Sequence, residues 1–439
     1  MTLSQVHIDQ FASRAADLLE RDDPELAALL DRELDRQRDT LMMVAASSVA
    51  HPSVLACAGS VLTNLTTEGY PGARYHAGCE VADDIERLAV ERACTVFGAR
   101  YANVQPHSGS AANLSAITAL LQPGDTMLGM DLASGGHLTH GSRASLIGRY
   151  ATCVSYGVND SGRIDFDEVE ALAYRHRPKL IVCGASAYPR VVDFARFRAI
   201  ADQVGAYVLA DISHIAGLVA AGLHPSPVNH ANITTTSTYK QLYGPRGGLI
   251  LMGADADAVP PDGRSTMRAL MERAVFPHGQ GTPNLASVAA KARALDFVAT
   301  VEFGELAARI VATARALAEA LRNRGYTVIT GGTDNHMVLV DLRPHGLTGA
   351  AAEAALERCG IIVNRNRLPG DDTPVRVTAG LRLGTNTLAL RGMPPSSMID
   401  CVELIDGVLH GRLSSRRARE HVRLLCERYP LPHYEAAGI

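Results

Sequence analysis

Six short apolar runs recur between residues 126 and 252: TMLGM (126–130), TCVSY (152–156), KLIVCG (179–184), AYVLA (206–210), NITTT (232–236) and GLILM (248–252). Helix-patterned stretches such as VDFARFRAIADQV (192–204) lie between several of them. The runs TMLGM, KLIVCG, AYVLA and GLILM leave almost no polar face for water. The alternation therefore predicts a mostly parallel sheet covered by helices on both faces. Composition agrees: of 439 residues 47% are hydrophobic, 39 are glycine, 5% are aromatic and none is Trp. That suits an α/β enzyme with many tight turns. A net charge of −4 and a pI near 6.5 exclude a strongly basic nucleic-acid binder and a disordered chain.

The rest of the chain divides around this sheet. Residues 1–50 read as a helical arm with amphipathic helices at 7–21 and 24–43, suited to packing on another subunit. Residues 51–300 form the large domain. From 301 to 439 the rhythm changes to a smaller α+β domain. It has helices at 302–324, 348–359, 396–410 and 412–428, and strands at 326–330, 336–342, 361–364 and 375–384. The eight cysteines form no C-x-x-C pair and read as reduced thiols of a cytoplasmic protein. The N-terminus lacks the basic segment of a signal peptide. No apolar run approaches the roughly 20 residues of a membrane span. No metal site is expected.

Three segments carry chemistry. In STYKQLYGPRGG (237–248), Lys240 lies just past a strand, in a loop tightened by glycine and proline, where it can hold a carbonyl cofactor as a Schiff base. In YVLADISH (207–214), Asp211 ends an apolar strand, where α/β sheets place ligands, and can keep a pyridine nitrogen protonated; His214 follows three residues later. In HSGSAAN (107–113), small residues open a helix, whose free N–H groups suit a phosphate. Each has an ordinary reading alone: a solvated lysine, a structural ion pair, an N-cap. Together they are the three parts that pyridoxal phosphate requires.

The stretches EGYPGARYHAGCE, ANVQPHSGSAAN, GMDLASGGHLTHGS, GASAYPR, DISHIAGLVAAG and GPRGGLILM resemble the serine hydroxymethyltransferase family. The likeness is dense from about 52 to 285 and resumes at VTAGLRLGT (377–385). It implies the aspartate-aminotransferase-like fold (fold type I), pyridoxal 5'-phosphate as cofactor, and tetrahydrofolate with 5,10-methylenetetrahydrofolate as co-substrate. It also implies an obligate homodimer, or a tetramer, with no nucleic acid or membrane partner. By the same resemblance Lys240 binds the cofactor covalently, Asp211 pairs with its pyridine nitrogen and His137 stacks on its ring. Ser186 and His214 contact its oxygens. Ser108, Gly109 and Ser110 hold the phosphate, with Gly281 from the neighbouring subunit. Arg382 clamps the substrate carboxylate and Glu68 is the acid/base. Tyr75, Leu132, Gly136 and Leu138 line the folate slot with Glu68.

The chain departs from the family mainly on the amino-acid side. Thr66 stands where the family has an active-site tyrosine, His76 where it has the second tyrosine of R-Y-Y-G-G, and Tyr239 where a histidine precedes the lysine. Tyr243 replaces an arginine, Ala46 a serine, and Gly370 an asparagine expected to contact the pterin. Loss of the ring at position 66 leaves room for a methyl group on the substrate Cα, with Tyr239 and His76 supplying hydroxyl and packing from other directions. The pattern resembles the branch of the family that interconverts 2-methylserine and D-alanine. An ordinary serine/glycine enzyme and a folate-independent aldolase or transaldolase are the alternatives.

Overall fold

Leu180–Cys183 illustrates why the apolar runs become buried strands. Leu180 and Val182 join one hydrophobic cluster, while Ile181 and Cys183 join another. Val208 and Leu209 divide the same way. Period-two alternation thus feeds two cores, one on each face of a single sheet. The computed structural model describes residues 8–261 and 263–434. The strands of this sheet are β1 Tyr101–Asn103, β2 Thr126–Met130, β3 Thr152–Tyr156, β4 Leu180–Cys183, β5 Tyr207–Asp211, β6 Ile233–Ser237 and β7 Gly248–Met252. Their order is β1-β7-β6-β5-β4-β2-β3, and only the pairings of β7 are antiparallel. This is the mostly parallel α/β sheet expected of fold type I.

A second sheet has β8 Thr327–Val328, β9 Met337–Asp341, β10 Asn364–Asn366 and β11 Gly380–Gly384 in the order β8-β9-β11-β10, all antiparallel. The long helix Val301–Asn323 joins the two regions. Its Phe303, Leu306 and Ile310 pack on the large-sheet core, and its Leu317 and Leu321 on a separate core beside the small sheet. Among the described residues no helix is long and apolar enough to cross a membrane, and all eight cysteines are free.

Several expected elements are corrected. The arm's helices are Ile8–Asp22 and Pro24–Asp39, with no buried residue in either; residues 1–7 of the arm, and 435–439 at the other end, lie outside the described residues. The second helix stops short of 43 because Leu41–Met42 forms a strand parallel to Ile361–Ile362. Leu41 and Met43 are 1% and 0% exposed, so this apolar run has a strand's alternation rather than a helical one. The strand expected over 375–384 begins only at Gly380, after a turn in which Val377 N–H bonds to Pro374 O. The edge strand β1 was not foreseen, since three residues carry too little periodicity to read.

The hairpin Gly69–Tyr70/Ala73–Arg74 is tied down by a buried ion cluster. Arg74 donates to Asp83 (2.8 Å) and Glu86 (2.6 Å), and its Nη1 reaches the carbonyls of Thr67 (2.9 Å) and Gly69 (2.8 Å). One guanidinium thereby pins the backbone on both sides of Glu68. Gly69 has φ +95°, and a Cβ there would lie 2.3 Å from Ala73 O, so only glycine fits. Removing Arg74 strands two buried carboxylates. Arg74→Ala is expected to cost about 3–5 kcal/mol in urea unfolding of the full chain. A cost below about 1 kcal/mol, the value of a surface pair, would refute the pinning.

Candidate active site

The carboxyl ends of the parallel strands open into a cavity of about 270 Å³. Among its lining residues are Ser108, Gly109 and Ser110 at the start of the helix Gly109–Leu120, His137 after β2, Ser186 after β4, Asp211 and His214 at the end of β5, and Tyr239 and Lys240 after β6. Nine of the expected residues thus meet in one place, at the position where doubly wound sheets bind ligands.

Asp211 is 6% exposed and its carboxylate is fully engaged. Oδ2 accepts from Asn113 Nδ2 (2.8 Å) and faces His140 Nε2 at 3.1 Å, while Oδ1 accepts from Ser213 N–H (2.9 Å). The His137 backbone N–H donates to His140 Nδ1 at 3.2 Å, which leaves Nε2 as the donor toward Asp211. Burial alone would raise the Asp211 carboxyl. The hydrogen bond and charge of His140, with the charges of His137 and Lys240, outweigh it and hold the group well below the usual carboxylate range. It is a permanent buried anion.

Burial pulls the Lys240 amine down to about 8; Asp211 opposes this, and Arg382 and Arg246 reinforce it. Tyr239 is stacked between cations, its ring 4.2 Å from the Arg246 guanidinium and 5.8 Å from Lys240 Nζ. His137 Nδ1 accepts from Thr139 N–H (3.2 Å) and lies 2.8 Å from Thr139 Oγ1, which in turn accepts from Asn113. Burial, against the pull of Asp211, takes the His137 imidazole down to about 4. His214, stacked on His336 at 5.7 Å, keeps a buried Nδ1 with no partner. Ser108 caps its helix by accepting from Ala111 N–H at 3.0 Å, which leaves the Gly109 and Ser110 N–H groups to face an anion. Arg382 donates to Ser186 O (2.5 Å) and Asn364 Oδ1 (3.1 Å), and burial lowers its guanidinium to about 10.

Thr66, Glu68, Tyr75, His76 and Gly281 lie outside this cavity's lining. They gather around the hairpin instead. Glu68 Oε2 is 3.4 Å from His76 Nε2, a Cβ on Gly281 would lie 3.2 Å from Glu68 Oε1, and Tyr75 is 73% exposed against the edge of Phe276. Thr66, Leu132 and Leu138 are exposed, and Gly136 is buried. Tyr243, expected among the amino-acid-side departures, is buried and turns away: its hydroxyl donates to Asn386 O at 3.0 Å, and it borders a different cavity. The sequence reading gave no role to Asn113 or His140, although both lie inside motifs it quoted. Their signal was position: one helical turn past the phosphate loop, and three residues past His137.

A nucleophilic amine, a buried anion and an anion-binding helix start line this cavity with an imidazole whose Nδ1 is unpaired, and the half-buried Arg382, outside the lining, borders it through Ser186. This set fits pyridoxal phosphate and defines an enzyme of the aspartate-aminotransferase-like class that uses it. A family model described as serine hydroxymethyltransferase matches residues 19–405, and the chain belongs to that family. The family uses pyridoxal phosphate and takes tetrahydrofolate as co-substrate. When bound, the cofactor supplies a carbonyl for capturing amines and a ring that accepts electrons from a bond broken at Cα. Of the chain's own residues, Lys240 would supply the attacking amine and Asp211 the anion for the ring nitrogen.

Lys240→Ala is expected to abolish both the visible absorbance of bound cofactor and turnover; retention of either contradicts the assignment. Only the unprotonated amine attacks. Stopped-flow capture of added pyridoxal phosphate should therefore quicken as pH rises and level off above about 8.

Proposed function

We propose that this enzyme interconverts 2-methylserine and D-alanine. In the synthetic direction D-alanine loses its Cα proton, takes the methylene of 5,10-methylenetetrahydrofolate and, with water, yields 2-methylserine and tetrahydrofolate. A contrast carries the reading. Asp211, assigned to the cofactor, sits in a hydrogen-bonded network with Asn113, Thr139, His140 and Ser213, whereas Thr66, His76 and Tyr239, the positions assigned to the amino acid, depart from the family pattern.

In this reading Lys240, Asp211, His137, Ser186, His214, Ser108, Gly109 and Ser110 hold the cofactor, and Arg382 takes the substrate carboxylate as a bidentate pair. Glu68 moves the proton, with His76 beside it. Tyr75, Leu132, Gly136 and Leu138 accept the pterin. Thr66, Glu68 and Gly281 complete the partner subunit's site, which makes the protein a homodimer or a tetramer. Their absence from the cavity lining of their own chain supports this, as do the exposed apolar side chains Leu55, Val61 and Leu65 nearby in sequence and Leu26, Leu29 and Leu30 on the arm. The division is an arm (1–50), a large domain (51–300) and a small domain (301–439); the two cores support the last two, with Leu41 and Met43 of the arm joining the small-domain core and Phe303, Leu306 and Ile310 joining the large one. The free cysteines suit a cytoplasmic setting. Gly370, where the family has an asparagine, favours a second reading as a folate-independent aldolase.

Thr66→Tyr refills the methyl space. Overpacking costs about 1–3 kcal/mol, so the ratio of D-alanine to glycine turnover should fall by roughly one to two decades; an unchanged ratio restores the ordinary serine enzyme. Full-rate exchange of the hydroxymethyl group without tetrahydrofolate would favour the aldolase. Mixing inactive Lys240→Ala and Glu68→Gln chains should regain activity, because one site of each mixed dimer is intact. No recovery would place Glu68 in its own chain's site.

A further inference from the structure

Lys291, midway along the helix Leu285–Val298, is only 1% exposed. Its Nζ donates to three main-chain carbonyls: Val104 at 2.6 Å, Pro106 at 3.1 Å and Gly248 at 3.1 Å. An ammonium has three donors and no acceptor. Three carbonyls therefore satisfy the charged form, while a neutral amine would aim its lone pair at one of them. None of the three is an anion. Burial pulls the group down to about 7, with the charge of Glu86 acting in the opposite direction. A buried cation whose hydrogen bonds all go to neutral groups is costly unless a counter-charge stands near.

The carbonyls say where that counter-charge belongs. Val104 and Pro106 lie on the segment leading from β1 to Ser108, the cap of the phosphate-facing helix. Gly248 opens β7, directly after the loop that carries Lys240. The Gly248 N–H donates to Pro106 O at 2.9 Å, so Lys291 closes a ring of contacts between the two cofactor loops. The seat is narrow: a Cβ on Gly247 would lie 2.2 Å from Lys291 Cε. His107 lines the cavity, and its imidazole is lowered by burial and then by the charge of Lys291. The cation is therefore felt at the mouth of the phosphate cradle.

We propose that Lys291 is a positioning residue of the cofactor site. Its ammonium fastens segment 104–106 to the start of β7 and adds a buried positive charge behind the helix start that receives the phosphate dianion. It touches neither substrate nor reacting atoms.

Three variants of the full chain test this. Lys291→Gln keeps two donors without the charge, Lys291→Met keeps neither, and Gly247→Ala displaces the side chain without changing it. In each, absorbance titration of the cofactor-free protein should give a pyridoxal phosphate dissociation constant raised about tenfold or more, most for Met. Inorganic phosphate gives a second readout. It should raise the melting temperature of cofactor-free wild type, and that increment should shrink in all three variants. A side chain serving the scaffold alone would lower the melting temperature equally with and without phosphate and leave cofactor affinity unchanged. That result overturns the proposal, as does failure of all three variants to fold. If only Lys291→Met fails, the other two decide.

Discussion

The buried Asp211 carboxylate is the interaction around which the site is arranged. A lone anion in a sheet interior would cost several kcal/mol, and here three separate pieces of chain offset that cost. The helix Gly109–Leu120 contributes Asn113, the turn after β2 contributes His140, and β5 itself runs on to the Ser213 N–H. Meeting the needs of one carboxylate thus fixes the spacing between the phosphate-facing helix and the strand that carries the acid. The same anion opposes the effect of burial on Lys240. Geometry and electrostatics therefore have a common origin at this atom pair.

A second buried charge cluster does comparable work for the hairpin. Arg74 with Asp83 and Glu86 holds the backbone around Glu68, and Gln105 bridges this cluster to the segment leading to Ser108. Gln105 Nε2 donates to Glu86 Oε1 (2.8 Å) and to Gly69 O (2.9 Å), while its carbonyl accepts from Gln280 (3.0 Å). Gln105 lies three residues before Ser108, on the segment that Lys291 clamps. The outward-facing Glu68 hairpin and the inward-facing phosphate helix are therefore parts of one rigid assembly. A shift at either is carried by buried polar contacts, which do not deform gradually.

Legibility followed the length and regularity of each signal. Apart from the partly exposed edge strand β3, the six runs were readable because their strands are buried on both faces and need no partner to declare themselves. The edge strand β1 and the strand Leu41–Met42 were not. Their residues are extended only because a neighbour offers a register: β7 for one, Ile361–Ile362 for the other. Tyr243 exposes a different limit. Position in a motif suggested the active site, yet its φ of +53° and its bond to Asn386 turn the ring into the core.

The sequence alone determined the α/β class, the lysine, the acid and the phosphate-facing helix start, because strand alternation and chemical type are local properties. The resemblance extended this to the family, and it suggested residues for the amino-acid and folate sides. Only the tertiary structure decided which residues share a cavity and which stand apart. Thr66 and Glu68 are far nearer in sequence to Ser108 than Lys240 is to Arg382, but they face outward while Arg382 reaches the cavity through Ser186. Asn113, His140, Arg74 and Lys291 acquired their roles in the same way. Burial makes an unpaired charge or donor intolerable, and which groups answer it depends on contacts between segments far apart in the chain.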